Sequence, residues 1–266
     1  MPYAERDGCR LYYEEAGTGE PLMFVAGLGG VSTYWKPQLE AFSKTHRVIV
    51  YDQRGSGRSD HVEVASVEEM ADDTLAVLDA CGVERTHYVG HSTGGAIGQA
   101  LAIDHPDRLK SLVINASTTR SDPYRRKVFA VREALLRQVG PEFYAKQTSL
   151  LLYPAWFINQ NAARLEADEA RAAAGLAPAD VQMSRLNAIL SFDRLADYRR
   201  ITTPTLVLCA KDDILTPSYF SEELAREIPG AELILMETGG HAASITMEAE
   251  FNAHVSRFLE EVAARG

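Results

Sequence analysis

The stretch Thr86-His87-Tyr88-Val89-Gly90-His91-Ser92-Thr93-Gly94-Gly95 decides the fold. Its first residues read as a short buried strand, and those beyond Ser92 run through Ile97 and Leu101 with a helical period, so the serine stands at a tight strand-to-helix turn. The glycines two before and two after Ser92 remove side chains that would block close helix–strand packing, and the turn predicts a strained backbone at the serine itself. A hydroxyl at such a tip, with the Thr93 N–H at the start of a helix beside it, is the nucleophile-elbow arrangement: an attacking oxygen next to a donor for a developing oxyanion. On the pentapeptide alone, a Gly/Ser-rich connection with no chemistry is the competing reading.

A serine hydroxyl is a weak nucleophile near neutral pH, so a catalytic elbow needs a base and an orienting acid elsewhere in the chain. Asp213, in Lys211-Asp212-Asp213-Ile214-Leu215-Thr216-Pro217, follows a strand at 205–209, and His241, in Gly239-Gly240-His241, follows a strand at 232–236. The order Ser92, Asp213, His241, each at a strand's carboxyl end, is that of a hydrolytic triad. Asp212 competes with Asp213 for the acid role and reads better as a turn residue. A second oxyanion donor is expected from Ala26-Gly27-Leu28-Gly29-Gly30, at the N–H of Leu28. Gly27-x-Gly29 after a strand, with Asp52 ending the next one, also suggests a dinucleotide loop, but Ser32 stands where the third glycine belongs.

Outward from these motifs, apolar runs at 22–26, 47–51, 86–90, 109–115, 205–209 and 232–236 alternate with helical patterns at 32–44, 66–81, 93–104, 217–227 and 248–264. Tyr3, Leu11 and Tyr13 begin the chain in the manner of a hairpin. Such alternation predicts an α/β fold, a mostly parallel central sheet with helices on both faces. Between 116 and 201 it stops, and helices are expected at 124–139, 142–152, 155–174 and 179–192. The predicted organisation is a core at 1–116 and 202–266 interrupted by a helical lid at 117–201, which would overhang the strands' carboxyl ends. Asp52 and Arg54 of Tyr51-Asp52-Gln53-Arg54-Gly55-Ser56-Gly57 are read as pinning their loop to the sheet. Gly27, Trp35, Tyr153 and Trp156, with Phe157 and Phe192, are candidate pocket residues, although aromatic side chains at helical spacing are usually core. Of Arg120, Arg125, Arg126, Lys127 and Arg132, most are expected on a solvated face, with one available to meet a substrate carboxylate.

The 266 residues, 46% hydrophobic and 24% charged, have an ordinary globular composition. Asp plus Glu outnumber Lys plus Arg by 37 to 27, the wrong sign for a protein held on phosphate backbones or anionic lipid. Cys9, Cys81 and Cys209 are odd in number and set among apolar residues, which reads as buried thiols in a reducing compartment. No secretory leader or spanning segment is recognisable, so the expected location is cytoplasmic. His87 and His91 are separated by strand and elbow, and no metal motif is found.

Together these motifs resemble the α/β-hydrolase superfamily over nearly the whole chain. Within it, Gly27-Leu28-Gly29-Gly30 with Tyr34-Trp35, Tyr51-Asp52-Gln53-Arg54-Gly55, Leu152-Tyr153-Pro154 with Trp156, Arg164-Leu165-Glu166 and Arg185-Leu186-Asn187-Ala188 resemble the aminoacrylate hydrolases of pyrimidine breakdown, and more loosely the 3-oxoadipate enol-lactonases. Many members carry His-Gly where this chain has Ala26-Gly27, which leaves the backbone donor at Leu28 but not any part the histidine plays in positioning the loop. A serine nucleophile, rather than aspartate, implies acyl transfer. The expectation is a cofactor-independent serine hydrolase of a small carboxylic ester, amide or lactone. The alternatives are enamine or carbon–carbon hydrolysis by the same triad, and a ligand-binding protein on the same fold with an idle triad. The expected partner is a small-molecule substrate, with neither nucleic acid nor membrane; a homodimer is left open.

Overall fold

A computed structural model describes residues 2–265. Eight strands, β1 (Tyr3–Arg6), β2 (Cys9–Ala16), β3 (Glu20–Val25), β4 (His46–Tyr51), β5 (Thr86–His91), β6 (Leu109–Asn115), β7 (Thr205–Ala210) and β8 (Glu232–Met236), form one sheet in the order β1-β2-β4-β3-β5-β6-β7-β8. The β1–β2 hairpin and the β2–β4 pair are antiparallel, and every other pair is parallel. The chain reverses direction along the sheet beside β3, so the loop after β3 and the loop after β5 open into one crevice at the strands' carboxyl ends.

Both faces of the sheet are apolar because the strands are apolar at consecutive positions. Leu22, Phe24, Val48, Val50, Val89, Val113, Leu206 and Leu208 pack on one side with Trp35, Phe42 and Phe251. Their alternate neighbours Met23, Val25, Ile49, Tyr51, Tyr88, Leu112, Ile114 and Val207 face Met70, Ile97 and Leu101 on the other. Period-two geometry sends adjacent residues to opposite faces, so an unbroken apolar run is what a doubly covered strand requires.

The helices are α1 (Lys36–Phe42), α2 (Val67–Ala80), α3 (Thr93–Asp104), α4 (Pro123–Ala134), α5 (Pro141–Leu152), α6 (Ala155–Ala174), α7 (Ala179–Ser191), α8 (Ser218–Glu227), α9 (Ala243–Thr246) and α10 (Glu248–Ala263). The Ser66 side chain caps α2 by accepting from Glu69 N, and Asp122 caps α4 by accepting from Arg125 N. The pattern at 32–44 resolves into a 3₁₀ turn, Ser32–Trp35, followed by α1, which takes Pro37 in its first turn where no N–H is needed. Helices α4 to α7 lie between β6 and β7 and form the inserted helical region; the same connection ends in a 3₁₀ segment, Leu195–Arg200, that periodicity did not reveal. No helix among the described residues is long and apolar enough to cross a membrane.

Candidate active site

Ser92 ends the turn between β5 and α3 with φ 53° and ψ −111°, a conformation costly for a residue with a side chain. The flanking glycines explain how it is tolerated. A Cβ on Gly90 would lie 2.2 Å from the Gly94 carbonyl oxygen, and one on Gly94 would lie 2.2 Å from that of Val25. Strand, helix and neighbouring strand therefore touch backbone to backbone. The turn is tied down by Ser92 N donating to Asn115 O at 2.8 Å and by Ser117 Oγ donating to Ser92 O at 2.7 Å.

Asp213 lies after β7 and His241 after β8, both almost fully buried. His241 Nδ1 is 2.8 Å from Asp213 Oδ2. The other carboxylate oxygen accepts the N–H groups of Leu215 and Thr216 at 2.8 and 2.9 Å, and Thr216 Oγ1 stands 2.7 Å from Oδ2. An ionised carboxylate is an acceptor only, so the Nδ1 proton points to Asp213 and Nε2 is left with its lone pair. The Ser92 hydroxyl makes no hydrogen bond to any described residue; it and His241 line the same cavity. In an unliganded site this contact commonly closes only when substrate is seated.

Asp212 takes a different part. Its two oxygens accept from Thr238 Oγ1 at 2.6 Å and Gly240 N at 2.8 Å, anchoring the loop that carries His241. Beneath the imidazole, His91 has its ring centroid 4.7 Å from that of His241 and stacks on Tyr34 at 4.8 Å. Burial, helped by the neighbouring His241, holds His91 well below the usual histidine range, so it is a neutral floor.

A cavity of about 120 Å³ joins these groups. Gly27, Leu28, Ser92, Thr93 and His241 form one wall, with Tyr34, Phe129, Leu152 and Leu215 around them. Leu28 N has no protein acceptor among the described residues, and Thr93 N, the first N–H of α3, has no intrahelical one. The expected aromatic lining is corrected, Gly27 being the one of the four candidates on the wall. Trp35 is wholly buried against Phe24 and Phe251 beneath the site, because α1 packs flat on the sheet there. Tyr153 stacks on Phe157 away from the cavity, and Trp156 is a third exposed, its indole N–H donating to Thr238.

Two arginines of α4 line the cavity, while Arg120, Arg126 and Lys127 lie on the exposed face, as expected of most of the five. Arg125 and Arg132 are seven apart, so they share the inward side of the helix, and both are nearly fully buried. Arg125 donates to Thr118 Oγ1, and Arg132 Nη2 donates to Tyr144 Oη at 2.8 Å. Among the described residues neither has a carboxylate within 4.0 Å. Arg125 Nε, Arg132 Nε and Arg132 Nη1 have no acceptor at all. Burial pulls Arg125 down to about 10, which still leaves it charged at neutral pH. Asp52 and Arg54 hold their loop, but to its neighbours rather than to the sheet: Asp52 accepts from Ser32 N and Arg58 N, and Arg54 forks onto Asp73 of α2 at 2.8 and 2.6 Å. Thr216 was missed, since nothing in a Thr-Pro pair marks it as a buttress.

A sequence profile of the alpha/beta hydrolase fold family matches residues 20–247. The protein is 42% identical over 98% of its length to "Putative carbamate hydrolase RutD" of Azorhizobium caulinodans, 99% of which is covered. Among solved structures it is similar to the enol-lactonase from Burkholderia xenovorans LB400, with TM-score 0.87, 26% identity and coverage of 97% and 100% of the two chains. It is also similar to a thermophilic esterase from Thermogutta terrifontis with malate bound, with TM-score 0.87, 26% identity and 98% coverage of each chain.

Proposed function

The chain belongs to the α/β-hydrolase fold family, and from that premise we propose that it is a serine hydrolase cleaving a small carboxylic ester, amide or lactone. His241 Nε2 takes the Ser92 proton as Oγ attacks the substrate carbonyl carbon. The carbonyl electron pair moves onto oxygen, where the N–H groups of Leu28 and Thr93 receive it. The imidazolium, stabilised by Asp213, gives its proton to the leaving group as the tetrahedral intermediate collapses to an acyl-enzyme. Water, deprotonated by the same imidazole, then releases the acid and restores Ser92.

The observation that carries this reading is the Asp213–His241 hydrogen bond in the same cavity as a strained, unbonded Ser92 hydroxyl. The test is hydrolysis of p-nitrophenyl acetate and labelling by a fluorophosphonate. Ser92→Ala should abolish labelling and lower turnover by about 10⁴-fold or more while the protein melts as the wild type does. A fully active alanine variant overturns the covalent mechanism, and a wild type that neither turns over nor labels favours an idle ligand-binding site.

A second, narrower reading is favoured by Arg125 and Arg132. A buried guanidinium without a counter-charge costs stability unless something anionic completes it, so the pair suits a substrate bearing its own carboxylate. The names carbamate hydrolase and enol-lactonase, and the malate in the esterase, concern small acids or their derivatives. This reading accommodates enamine hydrolysis by the same residues as well as ester cleavage. A substrate panel comparing neutral esters with carboxylate-bearing ones separates the two.

A further inference from the structure

The cavity wall that bears Leu28 is gripped from outside the sheet. Arg185, on α7 of the insert, is wholly buried and lacks a carboxylate within 4.0 Å among the described residues. Its Nη2 donates to Leu28 O at 2.9 Å and to Gln53 Oε1 at 2.8 Å, and its Nη1 donates to Arg54 O. Gln53 completes the grip: Nε2 donates to Ala26 O at 2.6 Å and the backbone N to Gly30 O at 2.7 Å. Gly30 N in turn donates to Gly27 O at 2.9 Å. The carbonyls of Ala26, Gly27, Leu28 and Gly30 are thus held, while Leu28 N has no acceptor among the described residues.

We propose that Arg185, acting with Gln53, is a positioning residue: by holding the carbonyls of Leu28 and Ala26, on the peptides either side of the one that carries the Leu28 N–H, the pair keeps that N–H in the orientation needed to receive an oxyanion. The inference rests on the hydrolase reading above. A purely stabilising role is a poor explanation of a wholly buried cation with no acid partner, because an apolar side chain of similar volume would fill that space without the desolvation cost. Ala26 offers the loop only its carbonyl, so no side chain at that position can do the holding. Burial lowers Arg185 to about 10, leaving it charged in the neutral range where the carbonyl bonds are needed. Because the arginine belongs to the insert, the oxyanion site is complete only with α7 seated.

The test uses the full-length protein, p-nitrophenyl acetate and diisopropyl fluorophosphate. Arg185→Met should lower kcat by about 100-fold, the usual scale for a misplaced catalytic group, with KM within about threefold, and should slow labelling of Ser92 in parallel. Its melting temperature should fall modestly, since Leu28 O, Gln53 Oε1 and Arg54 O lose their donor, while the protein stays folded at the assay temperature. Arg185→Lys should restore part of the loss, since one ammonium can reach one carbonyl but not hold the fork. If Arg185→Met does not fold, Gln53→Leu carries the test, with kcat down about tenfold at unchanged KM. Wild-type kcat in a folded Arg185→Met, or a loss that tracks the unfolded fraction, overturns the proposal. If wild type is active and Ser92→Ala is not, such a result sinks the positioning role alone; an inert wild type sinks the hydrolase reading and this inference with it.

Discussion

The rim of the sheet and the helical insert treat their polar groups in opposite ways. At the rim, Asp213 has four close donors, Asp212 has two, and His241 Nδ1 is paired, so the acid and base are held in place before any substrate arrives. In the insert, Arg125 and Arg132 are buried with nitrogens that have no acceptor. Satisfied networks fix geometry, whereas unsatisfied buried donors are paid for elsewhere and gain a partner only with a ligand. The difference suggests a division of labour in which the sheet supplies the triad and α4 of the insert supplies the recognition.

Asp213→Asn should break the rim most severely. It preserves shape but presents an amide N–H to His241 Nδ1, which selects the wrong tautomer, and kcat on p-nitrophenyl acetate should fall about 10⁴-fold with the fold unchanged by circular dichroism. Arg132→Met should act differently. For the p-nitrophenyl monoester of succinic acid KM should rise about 30- to 100-fold, the scale of one charge-assisted hydrogen bond, while kcat and the neutral acetate change little. Were Arg132→Met to lose kcat on both esters as Asp213→Asn does, the division of labour would be wrong.

Stability should respond to pH through the sheet rather than the insert. Burial, with the nearby Lys110 charge, lowers His87 to about 4 from 6.5. The unfolded chain therefore takes up this proton first, so the contribution is full above pH 6.5 and is lost as pH falls through about 4. Between pH 7.5 and 5 the loss should be about 1–2 kcal/mol in denaturant melts, with buried His91 adding in the same direction. His87→Gln should flatten that slope; an equally steep variant would assign it to other groups. The smallest effect is expected at the insert's outer surface, where Trp156→Ala should cost under about 1 kcal/mol and leave KM for both esters unchanged. A raised KM there would return the aromatic side chain to the pocket.

The strand-to-helix turn at Ser92, the strands at 109–115 and 232–236 and the helix at 93–104 were legible because local geometry demands particular residues there: glycine where backbones touch, unbroken apolar runs where a strand is covered twice. The triad candidates could be named from their order and from the strands they follow. Which side chains reach the cavity could not. Trp35 and Arg132 both lie on amphipathic patterns, and a pattern tells which side of a helix is buried, not what it is buried against.

The sequence by itself determined the alternation of strands and helices, the strained serine and the two residues, Asp213 and His241, that could act with it, because each is written in spacing along a few neighbouring positions. Only the tertiary structure decided that two arginines, and not Trp35, Tyr153 or Trp156, line the serine's cavity, that Thr216 and Asp212 hold the acid and the base loop, and that Arg185 grips Leu28 from 157 residues away. The arginine contacts join segments with no local relation, and only the packing of the insert onto the sheet brings them together.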